Sequence, residues 1–139
     1  MTTRAAARDA QASDADSRWA RRLSVYAWAT TALLLVQAAL AGQFVNTNPG
    51  LISMHRYLAE ALPLLALGLV VLAWMARARV GGIVLGCSLA IAVLMVLQTG
   101  FGFMGRTSPD VAAIHIPLGV TLLGLSVFVA TRSGSTTRG

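Results

Sequence analysis

Thr107–Gly119 reads TSPDVAAIHIPLG, and sixty residues earlier Thr47–Ala59 reads TNPGLISMHRYLA. Laid together without a gap, Gly42, Thr47, Pro49, His55, Leu58, Leu62 and Leu65 meet identical residues at Gly102, Thr107, Pro109, His115, Leu118, Leu122 and Leu125. The chain has only two histidines, and they fall in register. Each lies six positions after a proline that itself follows a small polar residue, Asn48 or Ser108. That pairing predicts a helix cap and a first helical position. Both imidazoles are therefore expected ~9 Å along their helices, at ~1.5 Å per residue.

Composition identifies the solvent of these helices. Hydrophobic residues make up 56% of the 139 and charged ones 12%, too few to clothe a water-soluble domain, so an integral membrane protein is expected. The net charge of +6 comes from arginine alone, since there is no lysine. The placement of the arginines points to membrane topology and not to nucleic acid. A single cysteine, Cys87, excludes an intrachain disulfide and a CxxC motif.

Residues 1–17, rich in Ala, Thr, Ser, Asp and Arg, have no apolar face and are expected to form a disordered tail. Four spans are expected at about 23–45, 49–75, 80–104 and 109–131, each long enough to cross ~30 Å of hydrocarbon. A second tail, 133–139, follows them. Ala39-Leu40-Ala41 resembles a signal-cleavage site, but the apolar run exceeds the roughly 7 to 15 residues of a signal core, and the first span is expected to stay. Short connections rich in Gly, Asn and Ser, at Asn46–Asn48 and Gly105–Ser108, make neighbouring helices antiparallel. The expected fold class is an all-α integral membrane four-helix bundle built from a tandem repeat of two-helix hairpins.

Nine arginines fall with the termini and the middle connection, against Arg56 and Arg106 on the other side. The positive-inside rule then predicts a multi-pass protein of the cytoplasmic membrane with both termini cytoplasmic. Trp19 and Trp74 fall near the inner interface and Tyr57 near the outer one, as an aromatic belt requires. Gly82, Gly86 and Ala90 form a ridge of small residues on the third helix. Packing within the bundle is its ordinary use, and a seam for a homodimer or a membrane redox partner is the other.

The second and fourth helices run in the same direction, which sets His55 and His115 level with each other near the outer face. Ionisable side chains inside a bilayer are costly and point to function. Two imidazoles are too few for a zinc site, which takes three or four protein ligands. They suffice for heme, whose porphyrin leaves two axial positions open. Ala59 and Gly119, four residues on, share the histidines' helix faces and are small enough to leave room for a flat macrocycle. Pro63 and Pro117 interrupt the helical bonding nearby and are expected to tilt the helices. Arg56 is placed to reach a heme propionate, and Glu60 to pair with Arg56 one turn away. Gln37 and Gln98, at nearly repeated positions offset by one residue, are candidates to bond between helices or to orient an imidazole.

His55-Arg56, Leu97-Gln98 with Gly102, and His115 with Pro117-Leu118-Gly119 resemble the heme A synthases, eight-helix membrane enzymes made of two similar four-helix halves. The resemblance covers roughly residues 33–132. It implies that His55 and His115 are the axial pair of a heme near the outer surface, with Arg56 facing a propionate. Ile52 stands where the catalytic half of those enzymes carries a glutamate, Asn46–Asn48 lacks their cysteine pair, and one half is present where they have two. An independent synthase is therefore not expected. The chain is also similar to small four-helix bacterial membrane proteins with two such histidines. The expected function is that of a b-type heme protein that transfers electrons or handles heme for a larger partner. The rival is a cofactor-free accessory or assembly subunit whose histidines pack helices or bind a quinone-like headgroup. A small proton-coupled transporter is the third reading.

Overall fold

The computed structural model describes residues 2–135, without the side chains of residues 2, 3, 5, 6, 9 and 12. Four helices account for nearly all of it: α1 (Thr2–Asn46), α2 (Ile52–Met75), α3 (Arg77–Met104) and α4 (Pro109–Ser135). A single 3-10 turn at Pro49–Leu51 leads into α2. Asn48 caps that turn by accepting a hydrogen bond from the Gly50 amide at 3.1 Å, with Pro49 next in line. Each helix has a stretch long and apolar enough to cross a membrane. The outward faces carry Leu64, Val71, Ile83, Val93, Val96 and Val127 in the open, an apolar surface far too continuous for a water-soluble monomer. The chain is a multi-pass membrane protein of the expected fold class.

Consecutive helices pack side by side and α4 closes back on α1. The cross-section is not square. α1 and α3 touch across one diagonal, whereas among the described residues α2 and α4 have no pair of Cα atoms within 8 Å. The two histidine-bearing helices are thus the ones held apart.

The interior is a ladder of small and branched residues at alternating spacings of three and four. Leu62, Ala66, Leu69 and Ala73 on α2 are buried, as are Val84, Ser88, Ile91 and Met95 on α3. Leu122, Ser126, Val129 and Ser133 do the same on α4. This is the seam spacing of closely packed, nearly parallel helices. Hydroxyls fasten α1 to α4 within it: Ser24 Oγ donates to the Ala130 carbonyl at 2.9 Å, and the Thr31 and Ser126 hydroxyls lie 2.8 Å apart. Between α1 and α2, the Tyr26 hydroxyl donates to the Leu65 carbonyl at 3.1 Å and lies where a side chain at residue 68 would stand, a place that Gly68 leaves open.

Several expectations are corrected here. Residues 2–17 continue α1 as helix and are not a separate disordered tail. No Gly or Pro interrupts the chain before Gly42, and alanine, the best helix former, recurs through the segment. Helix three begins at Arg77, but Gly81, at φ +81°, breaks its first turns from the rest. Only glycine adopts that backbone without strain. Helix four runs to Ser135, past the expected end, and residues 136–139 of the second tail lie outside the described part. Gly82 and Gly86 face outward, with open space where a Cβ would stand, because α3 turns its Val84, Ser88 and Ile91 face inward. The ridge does not pack within the bundle. Cys87 packs against the core from its edge. Arg22 stacks on Trp19 at 4.7 Å and Arg77 on Trp74 at 4.3 Å, each a cation over an aromatic face.

A methyl group at residue 68 would strike the Tyr26 hydroxyl, so Gly68→Ala is expected to cost about 1 to 3 kcal/mol, the usual range for overpacking. Thermal unfolding in detergent measures it. Combining it with Tyr26→Phe should recover part of the loss, because the clashing atom is gone.

Candidate functional site

Gln37 on α1 and His55 on α2 grip each other through three contacts. His55 Nδ1 lies 3.1 Å from the Gln37 main-chain carbonyl, Gln37 Nε2 lies 2.9 Å from the His55 carbonyl, and Gln37 Nε2 is 3.2 Å from His55 Nε2. Gln98 on α3 and His115 on α4 repeat the arrangement contact for contact, at 3.0, 2.9 and 3.3 Å. A carbonyl oxygen only accepts, so Nδ1 of each ring carries the proton. The same logic fixes each amide, whose nitrogen must face the histidine carbonyl. Nε2 of each imidazole is then the lone-pair nitrogen, receiving the second amide hydrogen. The amide oxygens of Gln37 and Gln98 are buried and have no partner among the described residues. A buried acceptor left unmade costs about 1 to 3 kcal/mol.

These clasps reveal the true register of the repeat. His55 and His115 are sixty residues apart, but Gln37 and Gln98 are sixty-one apart. The core agrees. Leu62, Ala66, Leu69 and Ala73 correspond to Leu122, Ser126, Val129 and Ser133 at sixty, whereas Leu23, Leu34 and Ala27 correspond to Val84, Met95 and Ser88 at sixty-one. One extra residue therefore sits in the α1–α2 connection. It follows that Gly102 corresponds to Ala41, not to Gly42. A Cβ at residue 102 would stand 3.1 Å from His115 Cε1, and one at residue 42 would meet nothing within 4 Å.

Both clasps line one cavity of about 870 Å3, within the range of cofactor-sized sites. All four helices line it, at the end of the bundle carrying the α1–α2 and α3–α4 connections. Its floor takes one residue from each helix, Leu34, Leu62, Met95 and Leu122, the last layer of the packed core. Each histidine stands seven residues from its floor leucine, about 10 Å along the helix. Among the described residues no group of three or more His, Cys, Asp or Glu side chains converges. The strong donors facing this cavity are the two imidazoles.

Of the residues expected at the site, His55, His115, Arg56, Gln37, Gln98, Ala59 and Gly119 all line the cavity. Glu60 does not. It pairs with Arg56, Nε to Oε1 at 3.4 Å, and both side chains are about half exposed, so the pair contributes little to stability. Gly119 makes room for the Gln98 amide, whose Nε2 would be 3.0 Å from an added Cβ. Pro63 withdraws the amide hydrogen that would bond the Ala59 carbonyl, and Thr99 Oγ1 reaches across from α3 to that carbonyl at 3.1 Å. The broken helical bond becomes a tie between helices.

No family model, curated protein or solved structure matches this chain. The site must be read from its own geometry.

Three residues at the cavity were not singled out from the sequence. Phe44 sets its ring edge against His55, with centroids 5.1 Å apart. Thr99 ties α3 to α2. Arg106 joins Arg56 on the cavity wall, and only its outer-side position marked it in the sequence.

Gly102→Ala and Gly119→Ala are each expected to destabilise by about 1 kcal/mol or less, since a methyl at 3.1 or 3.0 Å presses on the second clasp while the first accommodates Ala41 and Ala59. Gly42→Ala should cost nothing or stabilise slightly, since alanine is the better helix former. Thermal melts of the three variants in one detergent test the sixty-one-residue register directly. Equal losses at residues 42 and 102 would refute it.

Proposed function

We propose that the chain is a small b-type heme protein of the cytoplasmic membrane, with His55 and His115 as axial ligands, that transfers electrons or handles heme for a membrane partner. The doubled imidazole seat carries this reading. Each Nδ1–H is committed to a main-chain carbonyl, so Nε2 is the ligating nitrogen of each ring, beside a shared cavity and under a glutamine amide. Two neutral imidazoles are what porphyrin-held iron takes in its axial positions, and a hydrogen bond from the second nitrogen is how such ligands are oriented. The separation of α2 from α4 and the apolar floor suit a flat, greasy macrocycle. Arg56 and Arg106 supply two cations on the cavity wall for its two carboxylates. Glu60 acts there only through its grip on Arg56.

When bound, heme supplies a one-electron redox couple. The chain's own residues hold it, keep water from its apolar edge and tune it through the bonds to Nδ1. Were both histidines to hold the iron, electron exchange would be favoured over substrate oxidation. The arginine asymmetry supports a site toward the outer side with both termini in the cytoplasm. The outward ridge at Gly82 and Gly86 offers close approach to a second copy or a redox partner.

The clasps also favour a second reading. Each imidazole is bonded at both nitrogens within the protein, which is what helix-fastening histidines in a cofactor-free accessory or assembly subunit would show.

The decisive measurement is a visible spectrum of purified protein from heme-sufficient cells, and of heme-stripped protein titrated with hemin. A band at roughly 400 to 430 nm is expected, lost in the His55→Ala, His115→Ala double variant. Arg56→Ala and Arg106→Ala should each weaken hemin binding without removing the band. Colourless protein that also ignores hemin, or a band surviving in the double variant, leaves the accessory reading.

A further inference from the structure

The glutamine side chains stand in an unexpected place. A residue that merely orients a ligating histidine bonds the nitrogen that does not ligate. Here that task belongs to the main-chain carbonyls of Gln37 and Gln98, which accept from Nδ1 at 3.1 and 3.0 Å. The side-chain amides of the same residues instead sit on Nε2, at 3.2 and 3.3 Å. They occupy the lone pair that a metal would need.

We propose that Gln37 and Gln98 are gatekeepers of the two imidazole lone pairs, and that each amide must turn away before its histidine can coordinate iron. The inference rests on the heme reading and adds to it what controls entry. Three observations carry it. The contact occurs twice, on separate helix pairs, with the same atoms. Both amide oxygens are buried without a partner among the described residues, so turning either amide breaks no bond at oxygen there. The second amide bond, to the histidine carbonyl at 2.9 Å in both clasps, provides a pivot that survives the turn.

Because orientation of the ring and capping of its lone pair reside in different atoms of one residue, substitution separates them. Gln37→Leu and Gln98→Leu keep the main-chain carbonyl and remove the amide. In protein labelled with 15N-histidine, the wild-type spectrum should show two Nδ1–H tautomers with hydrogen-bonded Nε2. Each leucine variant should shift one Nε2 resonance toward the free-acceptor position and leave its Nδ1 signal in place. In stopped-flow titration with hemin, each variant should take up hemin faster and about fivefold more tightly, the change that corresponds to a net hydrogen bond of about 1 kcal/mol. Unshifted Nε2 resonances, or hemin bound more slowly and weakly than by the wild type, would overturn the gate. Should a leucine variant fail to fold, the wild-type spectrum alone decides, because Nε2–H tautomers are incompatible with the cap. If no form takes up hemin, the heme reading falls and the gate with it. Loss of the gate alone appears instead as hemin uptake by every form with no gain in the variants.

Discussion

A ring N–H donating to a main-chain carbonyl of the neighbouring helix is the constraint on which the upper half of this bundle depends. It appears twice, His55 to Gln37 and His115 to Gln98. One contact sets three things at once. It assigns the proton to Nδ1, it holds the imidazole plane, and it fixes the register of α2 on α1 and of α4 on α3. A slip of one residue in either helix would turn the ring by about 100° and break the contact. The acceptor is backbone, so this part of the site does not depend on the chemistry of any second side chain.

The lower half carries the complementary load. Alanine and serine at Ala66, Ala73, Ser88, Ser126 and Ser133 let the helix axes approach, and hydroxyl bonds from Ser24 and between Thr31 and Ser126 tie α1 to α4. Where lipid surrounds the protein, apolar side chains gain little from leaving the solvent, and close approach with interhelical bonds is what holds helices together. The layer of Leu34, Leu62, Met95 and Leu122 ends this packed zone and begins the cavity. Among the described residues α2 and α4 stay apart while α1 and α3 touch, and the cavity opens beyond this layer.

Much of this was legible in the chain because helices repeat their chemistry at fixed angles. Four apolar runs, the paired histidines and the cap-proline signals at Asn48-Pro49 and Ser108-Pro109 give the spans and the hairpins. The one-residue offset between Gln37 and Gln98 was visible too, yet the coincidence of Gly42 with Gly102 hid its meaning. Identity rewards a gapless alignment, whereas packing tolerates an extra residue in a connection and none within a helix. The outward turn of Gly82 and Gly86 was not legible, since a small-residue ridge reads alike on either face of a span. Neither was the helical state of residues 2–17, where propensity acts without a buried face. Arg106 escaped notice because a connecting loop has no period to place it on a wall.

Comparing the two halves in their corrected register shows which features the duplication kept and which it changed. The seat is alike in both: histidine, glutamine, the bond to a carbonyl and a floor of large apolar residues. The rim is not. Ala41 and Ala59 in the first half stand opposite Gly102 and Gly119 in the second, so the second clasp is packed to contact where the first has methyl groups. Arg56 and Glu60 correspond to Ile116 and Val120, which makes the rim of α2 polar and that of α4 greasy. Phe44 edges His55, and the corresponding residue by His115 is Gly105. Under the proposed heme reading, a symmetric pair of imidazoles inside this asymmetric rim would favour one orientation of the ligand's charged edge. That combination fits an amphiphilic ring better than a small ion, which would need a matched shell of donors and no preferred edge.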